Sequence, residues 1–238
     1  MNMMEDKWNA MQSSRQLGMD DTFEFDCSAC GECCYGHDDI ILTGFDVFRL
    51  AQKLKMATAE VLERYCDMHV GAETKMPVPT MAKTKKGACP LLAYGRCTVH
   101  DHKPVTCALY PLGRCVEYGE KKITYFVQGE GIRDRCHSTP KVHTLREWLS
   151  EYNLLDQDED IFAWIDATVK VVESAGFKWY KDNYDKLPSA VKDVFWQAAT
   201  VALFGAFDMN RPFAEQITKN VEQLCRVMDG MLFKIKED

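Results

Sequence analysis

Four cysteines lie within eight residues near the start of the chain: Cys27, Cys30, Cys33 and Cys34. A free cysteine packs only as a small hydrophobic residue and is usually distinguished by its reactivity, so a core does not need thiols at this density. In a Cys-x2-Cys turn two sulfurs can converge on one ion, and Gly31 lets the backbone bend closely around it. The segment therefore indicates a metal site.

The spacing also matches part of a ferredoxin pattern. Cys27, Cys30 and Cys33 repeat the Cys-x2-Cys-x2-Cys run that holds three corners of a cluster in bacterial ferredoxins, where a remote fourth cysteine is followed by proline. Cys89, followed by Pro90, is a candidate for that remote ligand. The adjacent cysteines of the first run should point in different directions, so one of them would serve a second site or bridge two ions. The metal can be zinc or iron, including a [4Fe-4S] cluster.

The charge of the chain argues against non-specific binding to nucleic acid. The 238 residues carry a formal net charge of −7, whereas a nucleic-acid-binding surface is expected to be basic. Apolar side chains make up 46% of the chain, which is enough for a sizeable core. We expect a folded protein without a nucleic-acid partner.

The cysteine count favours a reducing compartment. Residues 1–26 are polar and lack the apolar segment of a secretory signal, so we expect the protein in the cytoplasm, where thiols stay reduced. Eleven cysteines, an odd number, fit metal ligation plus a few free thiols better than a disulfide framework. The longest apolar run, from Val194 to Phe207, is interrupted by Gln197 and is too short to cross a bilayer, so no membrane partner is expected.

Short elements are predicted before Pro140. Thr43 can cap a helix that runs to about Met56, and a second helix over residues 58–70 would carry Cys66 as a core thiol. Residues 89–100 predict a tight hairpin that brings two cysteines to one edge. Pro104 then begins a short helix that ends before Pro111.

Longer helices are predicted after Pro140. Thr144 and Glu147 form a capping box, and helical patterns follow near residues 159–183, 188–207 and 212–233. The stripe of Val194, Ala198 and Val201 is expected to face a core.

The predicted fold class is α+β. It comprises an N-terminal lead-in over residues 1–24, a small cysteine-cluster metal-binding domain with short strands and helices over residues 25–140, and a C-terminal helical region over residues 141–238.

Later motifs extend the pattern of the first cysteine run. They are Cys89-Pro90, Cys97-x-Val99-His100, Lys103-Pro104-x2-Cys107, Tyr110-Pro111 and Cys136. Together with the first run they resemble the YkgJ-like cysteine-cluster family of the CxxCxxCC type over roughly residues 25–140. Zinc or iron chelation is attributed to this family, and its members are often labelled Fe–S oxidoreductases. The resemblance implies eight metal ligands: Cys27, Cys30, Cys33, Cys34, Cys89, Cys97, Cys107 and Cys136.

The chain departs from that family pattern at three positions. His100 stands where the family usually has Tyr, Lys103 where it has Arg, and Ala108 where Arg commonly follows the cysteine. His100 either adds a ligand or is solvated. Cys115 is an extra cysteine whose role stays open, and Cys225 is expected in helical packing.

Four thiolates around a divalent ion leave a negative charge that nearby cations should balance. Four arginines lie within a few residues of a cysteine and are candidates for this role, although each is equally well explained as solvated. They are Arg96, Arg114, Arg133 and Arg135.

Three functions are compatible with these residues. The first is a metal-binding module that holds zinc or iron. The second is an Fe–S redox protein or an oxidoreductase accessory subunit that transfers electrons. The third is a metal-dependent protein-modifying enzyme, because flagellin lysine methylases contain a similar cluster. No nucleotide-binding loop, Ser-His-Asp pattern or His-Glu-x2-His motif occurs, so enzymatic activity stays open, with oxidoreductase as its leading class. The number of metal sites, the protein partner and the substrate stay open too.

Overall fold

Helices and short strands are mixed along the chain, which confirms the predicted α+β class. The computed structural model describes residues 14–27, 29–36, 40–128 and 141–237. The helices are α1 (Gly44–Leu54), α2 (Thr58–Tyr65), α3 (Val105–Leu109), α4 (Leu145–Glu151), α5 (Asp158–Glu173), α6 (Ala175–Asn183), α7 (Ser189–Thr200) and α8 (Phe213–Glu237). The strands are β1 (Gln16–Leu17), β2 (Thr22–Glu24), β3 (Cys66–Val70), β4 (Pro77–Met81), β5 (Leu92–Ala93), β6 (Arg96–Cys97), β7 (Leu112–Glu117), β8 (Lys122–Val127) and β9 (Val142–Thr144).

The chain forms two compact units, each built from two separate stretches. The cysteine unit takes its described residues from Met1–Asp38 and Lys83–Gln157, and the helical unit takes them from Asp39–Ala82 and Asp158–Asp238. The first two helices of the chain therefore pack with the C-terminal helices, and α4 packs with the cysteine-rich segments. The ranges 1–24, 25–140 and 141–238 follow changes in sequence pattern, and as domain boundaries they stay a prediction.

Three small antiparallel sheets build the cysteine unit. Strands β1, β8 and β7 form one sheet in that order, β2 pairs with β9, and β5 pairs with β6. In the largest sheet β7 and β8 are neighbours along the chain and pair over six residues, from Leu112 opposite Val127 to Glu117 opposite Lys122. The sequence pattern predicts strands over residues 115–118 and 123–128 on either side of a turn at Gly119, and the structure has a strand at each place.

The expected N-terminal lead-in is ordered where the structure describes it. Leu17 on β1 and Phe23 on β2 are both buried, and both belong to the core of the cysteine unit. Phe23 points inward between exposed Thr22 and Glu24, as the alternation of a strand with one buried face requires. The sequence of the lead-in also allows a short helix around Trp8, a position that lies outside the described residues.

The core of the cysteine unit is an aromatic cluster around Trp148 on α4. Helix α4 begins with the predicted capping box, in which Thr144 and Glu147 exchange hydrogen bonds. The Trp148 ring makes edge contacts with Phe23 and Phe25 at centroid distances of 5.5 and 5.7 Å. Its Nε1 also donates to the backbone carbonyl of Ala108 at 3.1 Å. These contacts explain why α4 joins the cysteine unit.

Helix α1 anchors the other core, in the helical unit. It begins with a capping box between Thr43 and Asp46, which confirms the predicted cap. The buried rings of Phe45 and Phe48 pack on Phe213 at 5.3 and 5.5 Å. Burial of such large apolar rings is the main source of stability in a helix that could not persist alone.

Two expectations about the helical unit are wrong. Helix α2 ends at Tyr65, and Cys66 begins β3, which pairs with the proline-containing strand β4. On α7 the side chain of Val194 is half exposed, whereas its neighbour Phe195 is buried. The larger aromatic ring buries more apolar area than valine, so it sets the rotation of the helix.

None of the helices in the described ranges combines the length and the apolar character needed to span a bilayer.

Candidate metal centre

The first cysteine run forms a tight loop. Its backbone turns at Ala29 and Gly31, where φ is +54° and +76°, and continues into a 3-10 turn over Glu32–Cys34. The N–H of Cys34 donates to the carbonyl of Gly31 at 2.9 Å, which closes the turn. The loop thus has the close bend that was predicted from glycine at position 31.

The second cysteine group lies on the predicted hairpin. Strands β5 and β6 pair with Leu92 opposite Cys97, and the tight turn between them has positive φ at Tyr94 and Gly95. A Cβ atom added to Gly31 would lie 2.8 Å from Leu92 Cδ1 and 3.0 Å from the carbonyl oxygen of Gly95. The first loop therefore packs directly on the hairpin, and a larger residue at position 31 would require the Leu92 side chain to shift.

Main-chain hydrogen bonds tie the first cysteine run to the Cys-Pro segment. Cys89 N donates to Cys34 O at 2.8 Å, and Gly36 N donates to Gly87 O at 3.2 Å. These two bonds flank an antiparallel bridge between the residues that follow Cys34 and precede Cys89.

The thiols that these hydrogen bonds bring together change one another's pKa. A hydrogen bond with the Cys33 side chain and burial raise the pKa of the Cys34 thiol, and the nearby charges of Cys33, Cys89 and Cys97 raise it further. The thiols of Cys33 and Cys34 thus lie close enough to share a hydrogen bond. That one of them serves a second site or bridges two ions stays a prediction.

Backbone donors face two of the thiols. Burial raises the pKa of both Cys89 and Cys97. A hydrogen bond from the backbone N–H of Leu91 lowers the pKa of Cys89, and one from the N–H of Val99 lowers the pKa of Cys97, so each partly offsets the effect of burial. In both cases the donor lies two residues after the cysteine. Such N–H groups stabilise a thiolate ligand, and each sulfur therefore lies in surroundings suited to ligation.

Two side chains lie beside Cys27: His100, which the sequence allowed as an added ligand or as solvated, and Tyr152, which the sequence did not connect with the cysteines. The Cys27 Sγ lies 3.4 Å from Nε2 of His100. Burial lowers the pKa of His100, and the charge of Lys103 adds to that effect. Burial raises the pKa of the Tyr152 phenol, and the neighbouring Cys27 contributes in the same direction.

Lys103 is the buried cation of this region. Only 7% of it is exposed, and its Nζ lies 4.3 Å from the centroid of the Tyr152 ring. Its charge also favours the thiolate of Cys97. The cation near these thiols is thus the lysine of the Lys-Pro motif. Arg96, one of the arginines proposed to balance the thiolate charge, is exposed. Arg114 is half-buried on β7, and Arg133 and Arg135 lie outside the described residues.

The remaining cysteines of the cysteine-rich segments lie on different structural elements. Cys30 is exposed on the first loop, Cys107 lies on α3, and Cys115 lies on β7 opposite Thr124. Cys136 lies outside the described residues.

Two cysteines belong to the helical unit, where they take part in packing. Cys66 is half-buried at the start of β3, and burial raises its pKa to about 12. Cys225 is buried on α8, where its sulfur faces the carbonyl oxygen of Lys170.

The donor set suits zinc or iron, since thiolate sulfur and imidazole nitrogen are the groups that these ions prefer. Within the described ranges, however, no three or more His, Cys, Asp or Glu side chains are already arranged as a ligand shell. A cysteine sulfur is placed by a single side-chain torsion, so thiols on neighbouring backbones can reorient toward an ion through rotamer changes. Assignment of the eight cysteines as ligands stays a prediction.

The family comparison bears on this region of the chain. Residues 26–132 match the CxxCxxCC family, which is described as a "putative zinc- or iron-chelating domain". Residues 26–132 are thus similar to a CxxCxxCC domain. The match confirms the resemblance drawn from the cysteine spacing and supports a metal-chelating role for this domain. It covers less than half of the chain and ends before Cys136. No curated protein and no solved structure matches the chain.

Proposed function

We propose that this protein is a metal-binding protein that holds zinc or iron through the cysteines of its CxxCxxCC domain. The proposed ligands are Cys27, Cys30, Cys33, Cys34, Cys89, Cys97, Cys107 and Cys136. The observation that carries the proposal is the approach of Cys34 to Cys89 and Cys97, because these thiols come from separate segments and oppose one another's ionisation. A bound cation would stabilise the thiolate forms of these neighbouring cysteines and would add folding free energy.

An Fe–S redox centre is the second candidate. Cys89 is followed by proline, and its N–H is bonded to the carbonyl of Cys34, at the end of the Cys-x2-Cys-x2-Cys run. In bacterial ferredoxins three closely spaced cysteines and one remote cysteine followed by proline hold a cluster. The position of Cys89 beside the first cysteine run supports such an arrangement. In that case the protein would transfer electrons.

A reducing compartment suits both candidates, and we propose the cytoplasm. Metal ligation requires thiols that have not been oxidised, and the cytoplasm keeps them reduced. The cysteines in the described part of the chain are all free thiols.

Anaerobic purification followed by elemental analysis and absorption spectroscopy tests the proposal. A protein with stoichiometric zinc would be colourless, whereas an Fe–S protein would be brown with broad absorption near about 400 nm. A Cys89→Ser/Cys97→Ser double variant should lose the metal, and the Cys115→Ser variant serves as its matched control. Purified wild-type protein without stoichiometric zinc or iron, and unable to bind either ion when it is added, would refute the proposed function.

A further inference from the structure

Cys27 and His100 approach each other across 73 positions of the chain. The distance between Cys27 Sγ and His100 Nε2 is 3.4 Å. A tetrahedral zinc ion with a thiolate at about 2.3 Å and an imidazole nitrogen at about 2.0–2.1 Å holds these two ligand atoms roughly 3.5 Å apart. In the structure this contact is a hydrogen bond between thiol and imidazole, and the same separation suits two ligands of a single zinc ion.

The His100 imidazole is held in this position by its surroundings. It begins the 3-10 turn His100–His102, in which His102 N donates to Val99 O at 2.8 Å. Asn153 Nδ2 fixes the same turn by donating to the carbonyl of Asp101 at 3.2 Å. The ring also makes an edge contact with Tyr152 at a centroid distance of 5.5 Å. A side chain held in this way is preorganised, so binding an ion costs it little conformational entropy.

Cys97 is suited to join the pair. Cys97 and His100 have the same i, i+3 spacing as Cys27 and Cys30, and two ligands at this spacing can reach one ion. Cys97 also lies within electrostatic range of Cys27.

We infer that His100 is a metal ligand that shares one mononuclear zinc ion with Cys27 and Cys97. The inference rests on the proposed function and deepens it, because a mixed set of thiolates and imidazole is a donor set of mononuclear zinc sites. A cubane cluster is held by four thiolates instead. The position usually occupied by Tyr in the resembled family would thus carry a ligand in this chain.

X-ray absorption at the zinc edge of the full-length, zinc-loaded protein tests the inference, because it distinguishes sulfur from imidazole neighbours. We expect the wild type to show an imidazole ligand together with sulfur ligands. In His100→Ala the imidazole signal should vanish, and zinc affinity should fall by more than the roughly 100-fold that loss of an outer-shell partner costs at most. In His100→Cys a sulfur should replace the nitrogen and affinity should recover.

His102→Ala is the matched control, because His102 lies on the same turn and pairs with Asp101 at 3.2 Å. It should leave the zinc shell unchanged. An all-sulfur shell in the wild type, or an imidazole that persists in His100→Ala, would overturn the ligand assignment while the proposed function stands. If the wild type binds no zinc, this inference is overturned, whether or not the protein binds iron. If the wild type binds neither zinc nor iron, the proposed function is overturned as well.

Discussion

The backbone N–H of Cys89 donates a hydrogen bond to the carbonyl oxygen of Cys34 at 2.8 Å. The two cysteine groups of the CxxCxxCC domain are therefore brought together by the main chain. The backbones of Cys34 and Cys89 are thus already held together before an ion binds, which lowers the entropic cost of using both thiols as ligands.

Replacing Cys89 with serine should remove a ligand without disturbing this main-chain bond. Serine has nearly the shape of cysteine but no accessible anionic form at neutral pH. We expect zinc affinity, measured by competition with a coloured chelator, to fall by more than roughly 100-fold. Cys115→Ser changes a thiol of the same unit that is outside the proposed ligand set, and it should keep wild-type affinity. Unchanged affinity in Cys89→Ser would exclude Cys89 as a ligand.

The packing of the first loop on the hairpin is tested by alanine at Gly31. The backbone there has φ +76°, and an added Cβ would lie 2.8 Å from Leu92 Cδ1. Gly87 is the matched control, since it has φ +74° but no atom within 4 Å of an added Cβ. Both alanines should cost about 1–2 kcal/mol for the left-handed backbone, and Gly31→Ala should cost about 1–3 kcal/mol more for the steric conflict. Denaturant unfolding of the metal-loaded proteins measures the difference, and equal losses would show that the loop and hairpin are not in contact.

The charge of Lys103 should support the metal centre. Methionine at this position keeps an unbranched apolar side chain but removes the cation that lies over the Tyr152 ring and favours the Cys97 thiolate. We expect Lys103→Met to lower zinc affinity about 10–100-fold, as loss of an outer-shell partner does, and Lys103→Arg to retain most of it. Lys122→Met, at an exposed lysine on β8, is the control. If both methionine variants bind zinc as the wild type does, Lys103 has no part in the centre.

The helical unit allows a test that does not depend on metal. A Cβ atom at Gly44 on α1 would lie 2.6 Å from Trp164 Cζ3 and would also collide with the carbonyl oxygen of Leu203. Gly44→Ala should therefore destabilise this unit by about 1–3 kcal/mol. Gly230 on α8 has nothing within 4 Å of an added Cβ, so Gly230→Ala should stabilise the helix by about 0.5–1 kcal/mol. Thermal unfolding followed by circular dichroism would reveal shifts of opposite sign, and shifts of the same sign would contradict the packing described for α1.

Features with local causes could be predicted from the sequence. The capping boxes at Thr43 and Thr144 depend on side chains three residues apart, and both are present. The hairpin follows from Tyr94 and Gly95, which adopt the positive φ values that a tight turn needs. The resemblance of residues 26–132 to the CxxCxxCC family could also be recognised from the sequence, because cysteine spacing within a short loop is itself a local pattern.

Features that depend on distant contacts could not be predicted. Trp148 carries α4 into the cysteine unit by packing on Phe23 and Phe25, and no periodicity in α4 indicates these partners. Nothing in the sequence indicated that Tyr152 lies beside Cys27 or that Lys103 is buried. On α7 the pattern contained two possible stripes one residue apart, and only tertiary packing selected the one with Phe195.

Hydrogen exchange of metal-loaded and metal-free protein, resolved by peptide, tests the central claim that a bound ion stabilises the cysteine unit. The short sheets of this unit should depend on the ion, whereas the long amphipathic helices of the other unit can pack without it. We therefore expect metal removal to reduce protection in residues 14–36, 83–128 and 141–157 and to leave residues 40–82 and 158–230 protected. Equal protection of the cysteine unit in both samples would contradict the claim that its cysteines hold a structural ion.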